Sequence, residues 1–207
     1  MLLKFGNHKL NDSIGVFNMS SATDCSSKKL GLCPIYNNQY TLKHICGSKV
    51  QCYATRDEGL YKAVLPSRRA QEAEWQSKSS DQLICEFSKK IKSRRKETNY
   101  IRFNEAGDFH NQSDITKLSD IAKYFKEEHN ITTYGYTARR DLDFSRRDFV
   151  VRGSGWSHES LDGTTTVISK EEDIPDVNTW IICRSGCGKT CNICMCDFTF
   201  NVAFLKH

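Results

Sequence analysis

Ten cysteines are the residues of this 207-residue chain whose type and spacing could do chemistry. Nine of them form two groups, each compact enough along the chain to bind one metal ion or cluster. The N-terminal group is Cys25, Cys33, Cys46 and Cys52, and the C-terminal group is Cys183, Cys187, Cys191, Cys194 and Cys196. The first residues contain no apolar stretch long enough for a signal peptide, and cytosolic thiols stay reduced. The sequence therefore predicts a cytoplasmic protein that binds metal rather than forming disulfides.

The C-terminal spacing, C-x3-C-x3-C-x2-C-x-C, is the stronger of the two metal signals. Zinc binds four thiolates at about 2.3 Å and a [4Fe–4S] cluster also takes four, so spacing alone does not distinguish them. One of the five cysteines is then spare, and we expect it to be Cys187 or Cys196. The N-terminal spacing, C-x7-C-x12-C-x5-C, is wider than in a zinc finger, and buried or spare thiols are its alternative interpretation.

Hydrophobic periodicity predicts helices between the two cysteine groups. They are residues 55–78, broken near Pro66; a helix that carries Leu83, Ile84, Phe87 and Ile91; and a helix that carries Ile115, Leu118, Ala122 and Phe125. Ser113 or Asp114 is the expected N-cap of the last helix. The tenth cysteine, Cys85, lies among the apolar residues of the second helix, so we expect it to be a small core residue.

Strands are predicted at residues 14–19, 100–103, 131–136, 148–152, 164–168 and 179–183. Strand, helix and strand between residues 100 and 136 form a βαβ unit, which implies a parallel pair with a right-handed crossover. The connections after Tyr136 are too short for a helix each, which suggests an irregular or mixed sheet there. We therefore predict a single α/β domain over residues 1–207, with an N-terminal cysteine loop at 21–54 and a C-terminal cysteine-rich appendage at 183–207.

Parallel α/β sheets bind ligands outside the carboxyl ends of their strands. Polar residues and glycines follow the predicted strands there, namely Asn104, Glu105, Gly107 and Asp108; Thr137, Arg139 and Arg140; and Arg152, Gly153, Ser154 and Gly155. Turns recruit the same residue types, so chain reversal or helix capping is the alternative for each. As a set these residues predict a pocket rim, in which Asp108 and Arg139 bind polar or anionic groups.

A series of short motifs runs over nearly the whole chain. They include Cys33-Pro34, Cys52-Tyr53-Ala54, Arg68-Arg69, Arg102 with Gly107-Asp108-Phe109 in the pattern R-x4-G-D-F, Tyr136-Thr137, Cys191-x2-Cys194 and Val202-Ala203-Phe204. In these motifs the chain resembles the phage "gene product eighty-eight" family. Cys187 and Cys196 are additional to the family pattern.

The Cys52-Tyr53-Ala54 element and the order of elements are also similar to radical S-adenosylmethionine enzymes. That likeness implies a partial, barrel-like and mostly parallel sheet with a [4Fe–4S] cluster in the N-terminal cysteine loop and S-adenosylmethionine on its open iron. It also implies an auxiliary cluster in the C-terminal cysteine loop. Contacts with cofactor or substrate would come from Tyr53, Gly107, Asp108, Thr137 and Arg139, with Asp108 near the amino group of S-adenosylmethionine. The cysteine spacing differs from the C-x3-C-x2-C of that superfamily.

Two functional hypotheses follow. The first is a phage-type iron–sulfur protein with redox or radical chemistry on a nucleotide or nucleic acid, a substrate class suggested by the resemblance and by the formal charge of +5. The second is a non-enzymatic zinc protein that binds nucleic acid or a host protein through the basic runs at residues 89–96 and 139–147. The run at 89–96 is alternatively a solvated helix end. No apolar run approaches the about 20 residues of a membrane span, so we expect no membrane partner.

Overall fold

A computed structural model describes residues 3–6, 10–34, 52–168, 170–176, 178–183, 191–196 and 198–205. The strands are β1 (Lys4–Phe5), β2 (Ile14–Phe17), β3 (Tyr100–Phe103), β4 (Thr132–Thr137), β5 (Val150–Ser154), β6 (Thr164–Ile168), β7 (Trp180–Cys183) and β8 (Asn201–Leu205). They form one sheet in the order β1-β2-β3-β4-β5-β6-β8-β7. Strand β1 runs antiparallel to β2, and the other pairs of described strands are parallel. The predicted α/β class with a mostly parallel sheet is confirmed, although the sheet is open rather than closed into a barrel.

The helices are α1 (Ser26–Lys29), α2 (Tyr53–Leu60), α3 (Val64–Ser77), α4 (Ser80–Lys92) and α5 (Gln112–His129), with single 3-10 turns at Glu171–Asp173 and Ile193–Met195. Helix α4 begins with a capping box in which the Ser79 hydroxyl accepts from the backbone N–H of Gln82 and the Gln82 side chain accepts from that of Ser79. None of the helices in the described ranges is long and apolar enough to cross a membrane.

The N-cap of α5 is Asn111, so the prediction of Ser113 or Asp114 was wrong. The Asn111 side chain accepts from the backbone N–H of Asp114 at 3.2 Å. Asp114 cannot cap because its carboxylate already accepts from the Trp75 indole at 2.7 Å and from His110. The helix therefore begins directly after Asn111, whose side chain caps it.

Cys85 is exposed, so the prediction that it is a core residue was also wrong. The buried residues of α4 include Leu83 and Phe87, which lie four positions apart on one face. Cys85 lies two positions from each, about 200° around the helix axis, and therefore faces solvent. Its apolar sequence neighbours misrepresented its position on the helix.

One face of the sheet packs against α3, α4 and α5. At the centre of this core the ring of Phe17 lies 5.8, 5.1 and 5.6 Å from those of Trp75, Phe87 and Phe103. Phe103 alternates along β3 with Arg102, which lies on the opposite face of the sheet. That opposite face, called the tyrosine face below, carries Tyr100, Arg102, Tyr134, Tyr136 and Arg152.

The sheet remains parallel after Tyr136, which differs from the irregular or mixed sheet that short connections suggested. Residues 138–149 and 155–163, all described, contain no helix, so loops alone carry the chain back between these strands. Strand β8 was not predicted. It pairs in parallel between β6 and β7, so residues of the C-terminal segment extend the sheet itself.

Candidate functional site

The loops that follow β2, β3 and β4 meet at the carboxylate of Asp108. One oxygen accepts from the Ser27 hydroxyl at 2.5 Å and the Ala138 N–H at 2.7 Å. The other accepts from the Thr137 hydroxyl at 2.8 Å and the Phe109 N–H at 2.9 Å. A carboxylate has about four lone-pair sites, and four protein donors fill them here. Asp108 therefore positions the strand-end loops relative to one another.

Burial raises the pKa of Asp108 above its ordinary value, against the lowering effect of these four hydrogen bonds. The group lies only 3% exposed. A contact between Asp108 and an amino group of a ligand stays a prediction, because every described contact of the carboxylate is with the protein itself.

Gly107 lets the chain pass close to the loop that follows β2. Its φ of +75° is in the left-handed region, and a Cβ there would lie 2.0 Å from the hydroxyl oxygen of Ser20. The same hydroxyl accepts from the backbone N–H of Asp108 at 3.1 Å. Glycine at this position therefore allows the two loops to be joined.

Arg139 is also buried and committed to the protein. Its guanidinium donates to the carbonyls of Phe109 and His110 and forms a two-point ion pair with Asp141 at 2.7 and 2.8 Å. The Thr137 hydroxyl accepts from the Arg139 N–H at 3.0 Å. The structure therefore brings together Gly107, Asp108, Thr137 and Arg139, as the rim prediction requires.

Two arginines of the basic run at residues 139–147 are committed to contacts within the protein. Arg139 is 3% exposed, and Arg147 forms an ion pair with Asp162 at 2.7 Å. Both cations hold loops in place, because their acceptors are protein carboxylates and carbonyls. Arg140 and Arg146 of the same run are exposed, so its use in nucleic-acid binding stays a prediction.

Three of the four N-terminal cysteines are described, and Cys46 lies outside the described residues. Burial raises the pKa of Cys25 to about 12, with further contributions from the nearby Asp108 carboxylate and Cys33. Cys25 and Cys52 precede α1 and α2 as their N-cap residues. Cys52 packs against a small cluster of Ala22, Ala54 and Ala106. Cys25 and Cys33 thus share a region beside Asp108.

A buried ion pair that sequence reasoning missed fixes the start of this cysteine loop. Glu58 accepts from the backbone N–H groups of Ala22 and Thr23 at 2.8 and 2.9 Å and pairs with Arg68 at 2.8 Å. Arg68 also donates to the carbonyl of Ala54 at 3.0 Å. The sequence signal for this ion pair was the Arg68-Arg69 motif of the family resemblance, and that motif does not indicate which carboxylate pairs with Arg68.

In the C-terminal group, Cys183, Cys191 and Cys194 line one pocket. The rest of its lining is apolar, formed by Ile181, Ile182, Ile193, Met195 and Val202. Cys194 is 5% exposed, and its pKa is raised by burial. Cys196 does not line the pocket, and its thiol donates to the carbonyl of Asn192 at 3.4 Å. Cys187 lies outside the described residues.

No group of three or more His, Cys, Asp or Glu side chains within the described ranges is arranged around one metal ion. Each cysteine group also has one member beyond those ranges, Cys46 and Cys187. The metal assignments of the nine cysteines therefore stay predictions.

Arg152 organises the loop that carries the C-terminal cysteines. Its guanidinium donates to the carbonyls of Phe200 at 2.7 Å, Cys196 at 3.0 Å and Ile193 at 3.3 Å, and to two further carbonyls. The Arg152 side chain is fully buried, and none of the described carboxylates forms an ion pair with it. Sequence reasoning placed Arg152 at a strand end without assigning it this role.

Tyr53 is half exposed, and its hydroxyl donates to the carbonyl of Glu105 at 2.5 Å, so it joins α2 to the end of β3. Arg102 lies in the same region on the tyrosine face, 5.2 Å from the ring centroid of Tyr136. Tyr136 in turn contacts Cys194. Arg102 and Tyr136 thus lie between the two cysteine groups, and only the sheet register brings them there.

Comparison with known proteins adds one match. No curated protein and no solved structure matches the chain. The family model described as Gene product 88 matches residues 1–192, which include the whole strand-end network and Cys183, Cys187 and Cys191. A match over that share of the sequence shows that the chain belongs to the Gene product 88 family.

Proposed function

We propose that this protein is an iron–sulfur protein whose two cysteine groups hold clusters beside the tyrosine face. The observation that carries the proposal is that Cys183, Cys191 and Cys194 line one apolar pocket next to the buried Arg152. Thiolates from one short segment suit a cluster, and an apolar surround controls its solvent access and potential.

The charge of Arg152 supports the proposal. A buried guanidinium is costly unless an anion compensates it, and its described partners are carbonyl groups. Neutral thiols would not compensate it, and burial favours the neutral form of Cys194. Metal binding requires deprotonated thiolates. A site with bound metal would therefore place negatively charged thiolates close to the Arg152 guanidinium and compensate its charge. The ligands would be Cys183, Cys191 and Cys194, with Cys187 or Cys196 as the fourth.

For the N-terminal cluster we propose Cys25, Cys33, Cys46 and Cys52 as the ligands. Support comes from the fixed start of the loop, where Ser27 bonds to Asp108 and Glu58 binds two backbone N–H groups. Such bonds would hold Cys25 at the carboxyl end of β2, where parallel sheets bind ligands. A bound cluster would supply one-electron chemistry, while the residues of this chain orient the substrate and exclude water.

We further propose that the enzyme is radical S-adenosylmethionine-like and acts on a nucleotide or nucleic acid. The support is the position of Gly107 and Asp108 after β3, next to Cys25, together with the resemblance described above. Asp108 would act by fixing the loops around the cofactor.

Metal analysis of anaerobically purified protein tests the cluster proposal. We expect brown protein with about four iron and four sulfide per cluster. The variant Cys194→Ser should lose the iron and sulfide of the C-terminal cluster. Cys85→Ser, which changes an exposed thiol, should keep the iron and sulfide content of the wild type. Colourless protein with stoichiometric zinc would replace the proposal by the zinc hypothesis, and protein with neither metal would overturn it.

Titration of S-adenosylmethionine into the iron-loaded protein tests the radical-enzyme proposal separately. We expect saturable binding that changes the spectrum of the cluster. Iron-loaded protein that does not bind S-adenosylmethionine would contradict the radical chemistry and leave the cluster proposal standing.

A further inference from the structure

We infer that Arg102 binds an oxyanion group of the substrate, a phosphate or a carboxylate, on the tyrosine face of the sheet. The inference deepens the proposed function by naming the chemistry of its substrate, and it rests on that proposal only for the choice of this face as the substrate side. The argument comes from the strand pattern, from the partners of the other arginines, and from the surroundings of Arg102.

The strand pattern marks the tyrosine face as unusual for a parallel sheet. Parallel strands are ordinarily buried on both faces and read as nearly continuous aliphatic runs. Here the sheet register places Arg102 opposite Tyr134, and Tyr136 opposite Arg152. Tyr134 packs with Ile14 and Val150 in a small core cluster on this face. Arg102 and Arg152 add cations to the same face, which an ordinary parallel-sheet core lacks.

The other buried or partly buried arginines of the described strand-end region have acceptors. Arg68, Arg139 and Arg147 form ion pairs with Glu58, Asp141 and Asp162. Arg152 instead donates to backbone carbonyls.

Arg102 differs from Arg68, Arg139 and Arg147 in having no ion pair within the described ranges, and from Arg152 in having no hydrogen bond from its guanidinium there. Its Nε, like that of Arg152, is buried without a hydrogen-bond partner among the described residues. Its guanidinium lies over the ring of Tyr136. A partly buried guanidinium without acceptors is expensive, so the site favours an added anion.

The groups around Arg102 fit a small organic anion. The titratable groups that act on it are Tyr53, Tyr134, Tyr136 and Glu105. The ring of Tyr136 lies beneath the guanidinium of Arg102. A guanidinium binds a phosphate or carboxylate through two parallel hydrogen bonds. Glu105 is the one acidic group of this set.

Calorimetric titration of the protein as purified tests this inference with two matched pairs of probes. Adenosine 5′-monophosphate against adenosine reports on phosphate, and adenosine-5′-carboxylate against adenosine reports on carboxylate. We expect one anionic probe to bind more tightly than its partner, with a loss of about 10- to 100-fold in Arg102→Gln. The exposed Arg95→Gln is the control and should leave the affinity unchanged.

The pair that shows the Arg102-dependent preference identifies the oxyanion. Arg102→Lys keeps the charge but loses the two-point geometry, so it should retain part of the affinity even if Arg102→Gln fails to fold. Absence of any preference for the anionic probes, or an equal loss in Arg95→Gln, would overturn the inference. Iron content measured on the same samples keeps the two proposals apart: Arg102-dependent binding by iron-free protein would sustain the oxyanion site while the cluster proposal fails.

Discussion

At the scale of single residues, the carboxylate of Asp108 accepts hydrogen bonds from three segments of the chain, through Ser27, Phe109, Thr137 and Ala138. The residue before it, Gly107, has the positive φ that lets this segment approach Ser20. Gly107 and Asp108 therefore hold the loops together at the carboxyl ends of the strands, where parallel sheets bind ligands. Because four protein donors occupy the lone-pair sites of Asp108, its role in this structure is to fix the strand-end loops, including the one that carries Cys25.

The variant Asp108→Asn should lower the free energy of unfolding by about 2 kcal/mol, because an amide would direct N–H groups at two of the four donors. Chemical denaturation of the two proteins measures the difference. Asp120→Asn, which changes an exposed carboxylate of α5, is the matched control and should cost under about 0.5 kcal/mol. Equal stabilities of the two variants would remove the positioning role of Asp108.

At the scale of secondary-structure elements, the contact between α3 and the start of α5 depends on His110. Its two ring nitrogens each lie 3.0 Å from a carboxylate, those of Asp114 and Glu72. The hydrogen bond to Asp114, together with that to Glu72, raises the pKa of His110 above its ordinary value although burial opposes it. Asp114 also accepts from Trp75 in the core, so this polar cluster connects to the aromatic packing.

The raised pKa of His110 predicts a pH-dependent stability. A protonated histidine is stabilised in the folded state, so its contribution is full below the unfolded value near 6.5 and is lost as pH rises through the folded pKa. The destabilisation caused by His110→Gln should therefore be larger at pH 5.5 than at pH 8.5 in urea unfolding. The exposed His158→Gln serves as the control. A His110→Gln effect that is independent of pH would contradict the charged pairing.

The basic end of α4 gives a second prediction at this scale. Lys92 and Arg95 are exposed, and cations favour a helix C-terminus only weakly in solvent. Replacing both by Gln should change the free energy of unfolding by under about 0.5 kcal/mol and leave nucleic-acid affinity unaltered. A large loss of that affinity with a shallower salt dependence would instead identify this helix end as a binding surface.

At the scale of the whole molecule, the tyrosine face connects the two cysteine groups. Asp108 and Cys25 lie at the carboxyl ends of β2 and β3, while Cys194 contacts Tyr136 from β4. Strand β8 completes this arrangement by pairing between β6 and β7, which places Cys183 and Cys194 at one pocket. The sheet therefore brings together segments that are more than 100 residues apart in sequence.

If the C-terminal pocket binds metal, Cys194→Ser should lower the melting temperature by about 10 °C, because metal-binding energy is also folding energy and about 3 kcal/mol corresponds to that shift at this size. Cys85→Ser, at an exposed position, should melt like the wild type. Chelator treatment should lower the melting temperature of the wild type and of Cys85→Ser but leave Cys194→Ser nearly unchanged. Equal melting temperatures for the two variants would count against a structural metal there.

Periodicity and turn residues determined much of the fold. The α/β class, the βαβ unit and the strand at residues 164–168 follow from local patterns, because alternation and helical spacing report which side of an element is buried. Strand ends in a parallel sheet converge, so Gly107, Asp108, Thr137 and Arg139 could be grouped before any contact was known. The same reasoning failed for Cys85. This residue lies two positions from the buried Leu83 and Phe87, which places it on the opposite, solvent-facing side of the helix.

Only the tertiary structure decided which charged side chains form ion pairs among the described residues and which do not. Arg147 forms an ion pair with Asp162, which lies in a later loop, whereas no ion pair of Arg102 occurs within the described ranges; the residues that flank each arginine do not predict this difference. The pairing of β8 between β6 and β7 is likewise a long-range choice that a five-residue pattern cannot encode. The physical reason is the same in both cases: periodicity is local, whereas register and ion pairing join segments distant in sequence.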